Sequence, residues 1–340
     1  MESNVKFYLG IDVSKLWFDL SSMKVIDHKR QEVVTERFDN TSDGIALMHK
    51  LLVKQKMPFD ENSLLVIENT GIYHRQLWRY CSEHSLPIHI GNAAHIKWSF
   101  GIARGKNDVI DSKRLCDYAY KQAEDLKATA ALDPVHLKLK DLMTSRSMLQ
   151  RNRNAIKVYL KELKNINDKD IQQVMEKANE AALKGLEKSI KNIEGLIESV
   201  IKGTEKIEKN HGLLNTIPGI GNVIATSLIC CTNNFAGKPS GKQLASYAGV
   251  VPFAQTSGSS VKGRNKVHPM ANKELKAILH MAALSCIRNY PEFRQYYDRK
   301  IAEGKHSRSV LNAIKNKLLL RVVAVINKQQ PYVDKTKLAA

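Results

Sequence analysis

Apolar and polar positions change their period along this 340-residue chain. Residues 5–13 and 15–22 are apolar runs, and residues 31–38, "QEVVTERF", alternate apolar with polar side chains, so all three read as strands. The spacing then predicts a helix from Ser42 to Lys54, with Thr41 or Ser42 as its N-cap. A second apolar, β-branched run, "SLLVIENTG" at 63–71, ends on an acid and a glycine, much as the first run ends on "GID". A helix from Tyr73 to His84, a strand at "PIHIGN" and a helix from Asp108 to Gln122 follow. From Pro134 to His211 apolar residues recur at threes, fours and sevens among many charges, which predicts a long antiparallel helical hairpin of coiled-coil type, broken near "NINDKD". Residues 213–229 read as a helix, a Pro-Gly-Ile-Gly turn and a second helix.

Three strands, a helix, a strand, a helix, a strand and a helix is the element order of the ribonuclease H superfamily. The expected class is therefore α/β plus α, in three parts: an RNase H-like domain over 1–130, a coiled-coil hairpin over 131–210, and a helical domain over 211–340 with a helix-hairpin-helix-like motif. In that motif Gly219 and Gly221 can serve a tight connection, or can open backbone N–H groups at a helix N-terminus to a phosphate.

Charge narrows the choice of partner. Lys and Arg number 53 against 34 Asp and Glu, a net +19, and residues 211–340 hold 19 of the bases but only 5 of the acids. A basic excess of this size points to a polyanion, because cations that neutralise phosphates release condensed counterions. No apolar run reaches the roughly 20 residues of a membrane helix, and no signal-peptide pattern opens the chain, so a cytoplasmic, nucleoid-associated protein is expected. The five cysteines show no CxxC pair or zinc spacing, and Cys230 and Cys231 read as core residues.

Four acids carry the candidate chemistry. Asp12 and Glu68 each end an apolar strand, while Asp108 and Asp111 in "GKNDVIDSKRL" lie three apart on a helix and share a face. Singly they suit a turn, a helix flank, an N-cap and a first-turn acid. Together they form an all-oxygen donor set for Mg²⁺ or Mn²⁺, and two such ions can stabilise the attacking and leaving oxygens of a phosphoryl displacement.

The stretches "YLGIDVSK", "VIENTG", "GKNDVIDSKRL", "IPGIGNVIATSLI", "SGKQLASYAGVVP" and "QTSGSSVKGRNK" resemble the transposases of the insertion-sequence one-ten family, relatives of the Piv site-specific DNA invertases. The resemblance spans nearly the whole chain. It implies a RuvC-like domain whose Asp-Glu-Asp-Asp tetrad is Asp12, Glu68, Asp108 and Asp111, and a C-terminal domain whose nucleophile is Ser257, with Ser259 and Ser260 as alternatives. It also implies cutting and rejoining of DNA through a transient 5′-phosphoserine, a noncoding bridge RNA as guide, and dimers assembling into a tetramer. From composition, residues 255–266 form a polar loop in which Lys262, Arg264 and Lys266 could stabilise the phosphate. Relatives carry a Lys-Arg-Gly before an Asn where this chain has Pro269-Met270-Ala271, so that contact passes to Lys273, Lys276 or Arg264. Two other readings stay open: a RuvC-like endonuclease in which water attacks, and a nonenzymatic binding protein on a degenerate fold.

Overall fold

The computed structural model describes residues 5–60, 63–69, 71–100, 108–166, 168–257, 261–268 and 270–333, with the side chains of Asp108, Ile166 and 254–266 outside the description. The chain divides into two compact units, Met1–Asp133 and Pro134–Ala340.

In the first unit the long strands β1 (Val5–Val13) and β2 (Trp17–Ile26) pair antiparallel. Asp27 and His28, both at positive φ, turn the chain into the two-residue β3 (Lys29–Arg30), a short hairpin whose twist suits that conformation. β4 (Val34–Asp39) also pairs with β2, and helix α1 (Ser42–Lys54) follows, the Thr41 hydroxyl accepting from the Gly44 N–H at 3.2 Å. β5 (Leu65–Glu68) adds parallel to β1, α2 (Arg75–Glu83) crosses back, and β6 (Ile88–Gly91) adds parallel to β5. Two helices close the unit: α3 (Ala93–Ser99), which the apolar pattern does not predict, and α4 (Asp108–Lys121).

The alternation of β1 and β5 sorts their side chains onto two faces. Leu9, Ile11, Leu65 and Ile67 pack with Met48 and Leu52 of α1 and Leu77 of α2. Val66 packs on the other face with Ile96 of α3 and Leu115 and Ala119 of α4. Helices thus cover both faces of the sheet, which is why β5 reads as an unbroken apolar run. Each large side chain so buried contributes roughly 1.5–3 kcal/mol.

The second unit begins with α5 (Pro134–Leu163) and α6 (Lys169–Lys202). Ion pairs Arg146–Glu194 (2.7 Å) and Lys157–Glu187 (2.9 Å) cross between them, with Lys164–Glu176 (3.3 Å) from the 3₁₀ turn after α5, and their converging numbers show the two helices run antiparallel. Then come α7 (Glu205–Asn215), α8 (Asn222–Cys231) and α9 (Gly241–Tyr247), the last opened by a capping box between Ser240 and Gln243. A two-stranded ribbon, β7 (Phe253–Ser257) with β8 (Val261–Lys266), precedes α10 (Lys273–Asn289), α11 (Pro291–Ala302) and α12 (Ser307–Lys328). Leu214, Leu228, Leu279, Ile314 and Leu318 meet in one core at its centre.

The ribbon corrects the expectation of a polar loop over 255–266. Ser257 pairs with Val261 and Thr256 with Lys262, because backbone ladder bonds need no apolar side chains. Among the described residues no helix is long and apolar enough to cross a membrane.

Candidate active site

Strand register and the docking of α4 bring Asp12, Glu68 and the first turn of α4 to one edge of the first unit. Gly10 of β1 faces α4 closely: a Cβ on it would lie 2.1 Å from the Cys116 nitrogen and 2.5 Å from the Ser112 oxygen. The Cys116 thiol donates to the Tyr8 carbonyl at 3.1 Å, and the Ser112 hydroxyl lies 2.8 Å from that of Ser21, the strand partner of Gly10. Helix and strand are therefore antiparallel, with α4 beginning near the carboxyl end of β1. Two strand residues advance about 6.6 Å and four helical residues about 6 Å, so the step from Gly10 to Asp12 matches the step from Ser112 back to Asp108.

Asp12 lies two residues beyond Gly10 and so shares its face, the face of α4. Glu68, two beyond Val66, shares that face in turn. The parallel register pairs Ile11 with Ile67, which brings Asp12 and Glu68 side by side at the strand ends. Asp108 and Asp111 open α4, four residues before Ser112 and Leu115 of its sheet-facing stripe. Asp111 is held by Arg114 at 2.8 Å, while the Asp108 side chain lies outside the description.

As for cation binding, the donors are all carboxylate oxygens, the kind Mg²⁺ and Mn²⁺ select. Asp12 and Glu68 share one row, and Asp111 is turned to an arginine. Among the described residues no three His, Cys, Asp or Glu side chains lie close enough together to hold a metal ion.

A fifth acid adjoins the row. Asp19 on β2 pairs directly with Asp12, is 1 % exposed, and receives two hydrogen bonds from Arg37 of β4 at 2.9 and 2.8 Å. Arg37 also lies over the Trp17 ring, 4.9 Å from its centroid. Arg37, Asp19, Asp12 and Glu68 thus follow one another across four strands, and the arginine offsets the repulsion between the two facing aspartates. An acid inside the buried run "WFDLSS" was the signal in the sequence, but its neighbours depend on register. Arg37→Met leaves Asp19 buried and unpaired. A loss of roughly 3 kcal/mol is expected by urea denaturation, and Asp19→Asn added to it should recover most of that.

The remaining candidates lie in the second unit. Ser257 ends β7, and Lys262, Arg264 and Lys266 lie on β8; their side chains are outside the description, as are Ser259, Ser260 and Pro269 altogether. Gly219 has φ +80° and a Cβ there would meet the Cys286 sulfur at 2.2 Å, so turn and packing both require glycine. Gly221 faces open space as the N-cap of α8, with no side-chain cap. Lys273 is exposed as the first residue of α10. Burial pushes the Cys81, Cys116, Cys230 and Cys231 thiols to about 12, which leaves them unreactive near neutrality.

Comparison with known proteins identifies the family. Residues 9–165 match the DEDD transposase model of the IS110 type, and residues 211–298 match the model described as the transposase IS116/IS110/IS902 family. The pilin gene-inverting protein of Moraxella bovis is 28% identical over 341 residues, covering 96% of this chain and 98% of that protein. The protein of the same name from Moraxella lacunata is also 28% identical. An uncharacterized 43.6 kDa protein of insertion element IS110 from Streptomyces coelicolor is 32% identical over 107 residues, 31% of this chain and 26% of that protein. These matches define a DNA transposase/recombinase with a DEDD domain, a class that depends on divalent metal. Within that class the chain belongs to the IS116/IS110/IS902 transposase family.

Proposed function

We propose that this enzyme cuts and rejoins DNA by serine-assisted, metal-dependent recombination, with Asp12, Glu68, Asp108 and Asp111 as the metal-binding tetrad and Ser257 as nucleophile. The row formed by Asp12 and Glu68 beside the start of α4 carries this reading. Two Mg²⁺ or Mn²⁺ ions, when bound, would polarise the phosphoryl oxygens and stabilise the attacking and leaving oxygens. Arg114 is then the counter-charge that Asp111 exchanges for a cation.

The covalent step balances as a transesterification. The Ser257 Oγ–P bond forms, the P–O3′ bond breaks, and the proton lost by the hydroxyl is matched by one gained at the 3′ oxygen. Attack by another 3′-hydroxyl on the phosphoserine reverses this and frees the serine. A serine hydroxyl needs a base or metal to withdraw its proton, so the tetrad of its own or a neighbouring subunit must be reached. Lys262, Arg264, Lys266 and Lys273, with the N–H groups around Gly219 and Gly221, are proposed to hold phosphates.

Nearly full-length similarity to pilin gene-inverting proteins supports inversion, and similarity to an insertion-element protein supports transposition. The three-part division at 130 and 210 assigns the hairpin α5–α6 to subunit contact as a coiled coil, and the α7–α8 turn to a helix-hairpin-helix-like motif. Dimers assembling into a tetramer, a noncoding bridge RNA as guide, and a cytoplasmic location at the nucleoid complete the proposal.

Ser257→Ala tests the nucleophile. With Mg²⁺ and DNA carrying the element ends, the variant is expected to lose the covalent protein–DNA adduct seen on denaturing gels, and to lose cleavage with it. Cleavage retained at the wild-type rate without an adduct would instead establish water as the nucleophile.

A further inference from the structure

The parallel ladder between β1 and β5 stops at Ile11 and Ile67, one residue short of Asp12 and Glu68. Both acids therefore stand where the two strands cease to hold one another. Neighbouring carboxylates repel, and strand ends are where pairing opens most easily. A hold beyond the ladder is needed to set their spacing.

Asn40 supplies it. The residue follows β4, and its backbone N–H donates to the Leu16 carbonyl at 2.8 Å. Its side-chain Nδ2 donates twice, to the Ser14 carbonyl at 2.9 Å and to the Tyr73 carbonyl at 3.1 Å. Ser14 opens the β1–β2 turn two residues after Asp12, and its N–H and hydroxyl close that turn on the Trp17 carbonyl at 2.9 and 2.7 Å. Tyr73 lies five residues after Glu68, shortly before α2. One amide thus joins the chain just beyond Asp12 to the chain just beyond Glu68.

The platform under Asn40 is stiff. The Thr41 N–H donates to the Asp39 carbonyl at 2.8 Å, and a Cβ on Gly44 would lie 2.1 Å from the Asp39 oxygen, so α1 begins in direct contact with the end of β4. Asn40 Oδ1, by contrast, is buried and has no hydrogen-bond partner among the described residues. An unpaired buried oxygen costs stability, yet exchanging the two ends of the amide would set that oxygen against two carbonyl oxygens, so the contacts fix the nitrogen where it is. Local choices that oppose stability mark functional positions. What asparagine offers here is two donors on one short side chain.

We propose that Asn40 is a positioning residue of the metal site, holding the ends of β1 and β5 at the separation at which Asp12 and Glu68 share a divalent cation. The inference rests on the reading of those acids as metal ligands and is independent of Ser257. Groups that orient metal ligands without touching the ion set metal affinity by about 10–100-fold.

The experiment measures Mn²⁺ binding without DNA, by electron paramagnetic resonance titration of full-length wild type, Asn40→Ala, Asn40→Ser, Thr41→Ala and Asp12→Asn. Asn40→Ala is expected to raise the Kd for Mn²⁺ about tenfold, and to slow cleavage at low Mg²⁺ with recovery as Mg²⁺ is raised. Asn40→Ser keeps one donor without the reach, so its Kd should fall between the two, and it carries the comparison where the alanine variant does not fold. Thr41→Ala removes the neighbouring cap of α1 and should lower Tm by about 2–4 °C while leaving Kd unchanged. Wild-type Kd in both Asn40 variants, with binding lost in Asp12→Asn, overturns this proposal and leaves the metal reading standing. Binding retained in Asp12→Asn overturns both. An equal rise in Kd in Thr41→Ala makes Asn40 a general stabiliser and overturns its positioning role.

Discussion

Asp12→Asn is expected to fold as the wild type does and to cleave DNA about a thousand-fold more slowly. The amide keeps the shape of the carboxylate but removes the charge proposed to hold a divalent cation. Metal stabilisation of a phosphoryl transfer is worth several kcal/mol, and roughly 4 kcal/mol corresponds to three orders of magnitude in rate. Glu68→Gln, its neighbour in the row, should behave alike. The measurement is single-turnover cleavage of element-end DNA in Mg²⁺, with Mn²⁺-induced thermal stabilisation as a second readout. Both variants should keep DNA binding, since they remove negative charge from a site proposed to meet phosphates. Wild-type rates in both would end the metal reading of these residues.

Gly10→Ala tests the same site without touching an acid. The new methyl group would lie 2.1 Å from the Cys116 nitrogen and 2.5 Å from the Leu115 carbonyl carbon and the Ser112 oxygen, all backbone atoms of α4. Backbone in a packed helix cannot swing aside, so α4 must lift from β1 or the strand must bend. Overpacking of this kind costs about 1–3 kcal/mol, occasionally more. The larger effect falls on chemistry, because Asp108 and Asp111 ride on the displaced helix, and a misplacement of about 1 Å can cost a hundred-fold in rate. The expected result is cleavage reduced at least about a hundred-fold in the folded fraction, with Tm lowered in a calorimetric scan. Gly185 in α6 offers the contrast: its Cβ would meet nothing within 4 Å, so Gly185→Ala should stabilise by roughly 0.5–1 kcal/mol.

Much of the first unit is legible from periodicity. β1 occupies the expected 5–13, α1 the expected Ser42–Lys54 with Thr41 as its cap, and α4 starts at Asp108. The hairpin breaks at the expected place, between Leu163 and Lys169. The short α3 escaped because one buried residue, Ile96, gives too little apolar pattern to count. The ribbon β7–β8 read as a loop because its residues are polar, and its order comes from pairing rather than from an apolar face.

By itself the sequence determined which elements form and which acids, glycines and serines they carry, since helix and strand periods and caps are local properties. Tertiary structure alone decided that Asp12 and Glu68 stand side by side on the face covered by α4. It decided equally that Asp19 with Arg37 extends their row, that Gly10 must lack a side chain, and that the Asn40 amide bridges the chain beyond both acids. The reason is physical: register and helix docking are set by contacts between residues far apart in the chain, and a slip of one strand residue would turn every acid in the row to the opposite face.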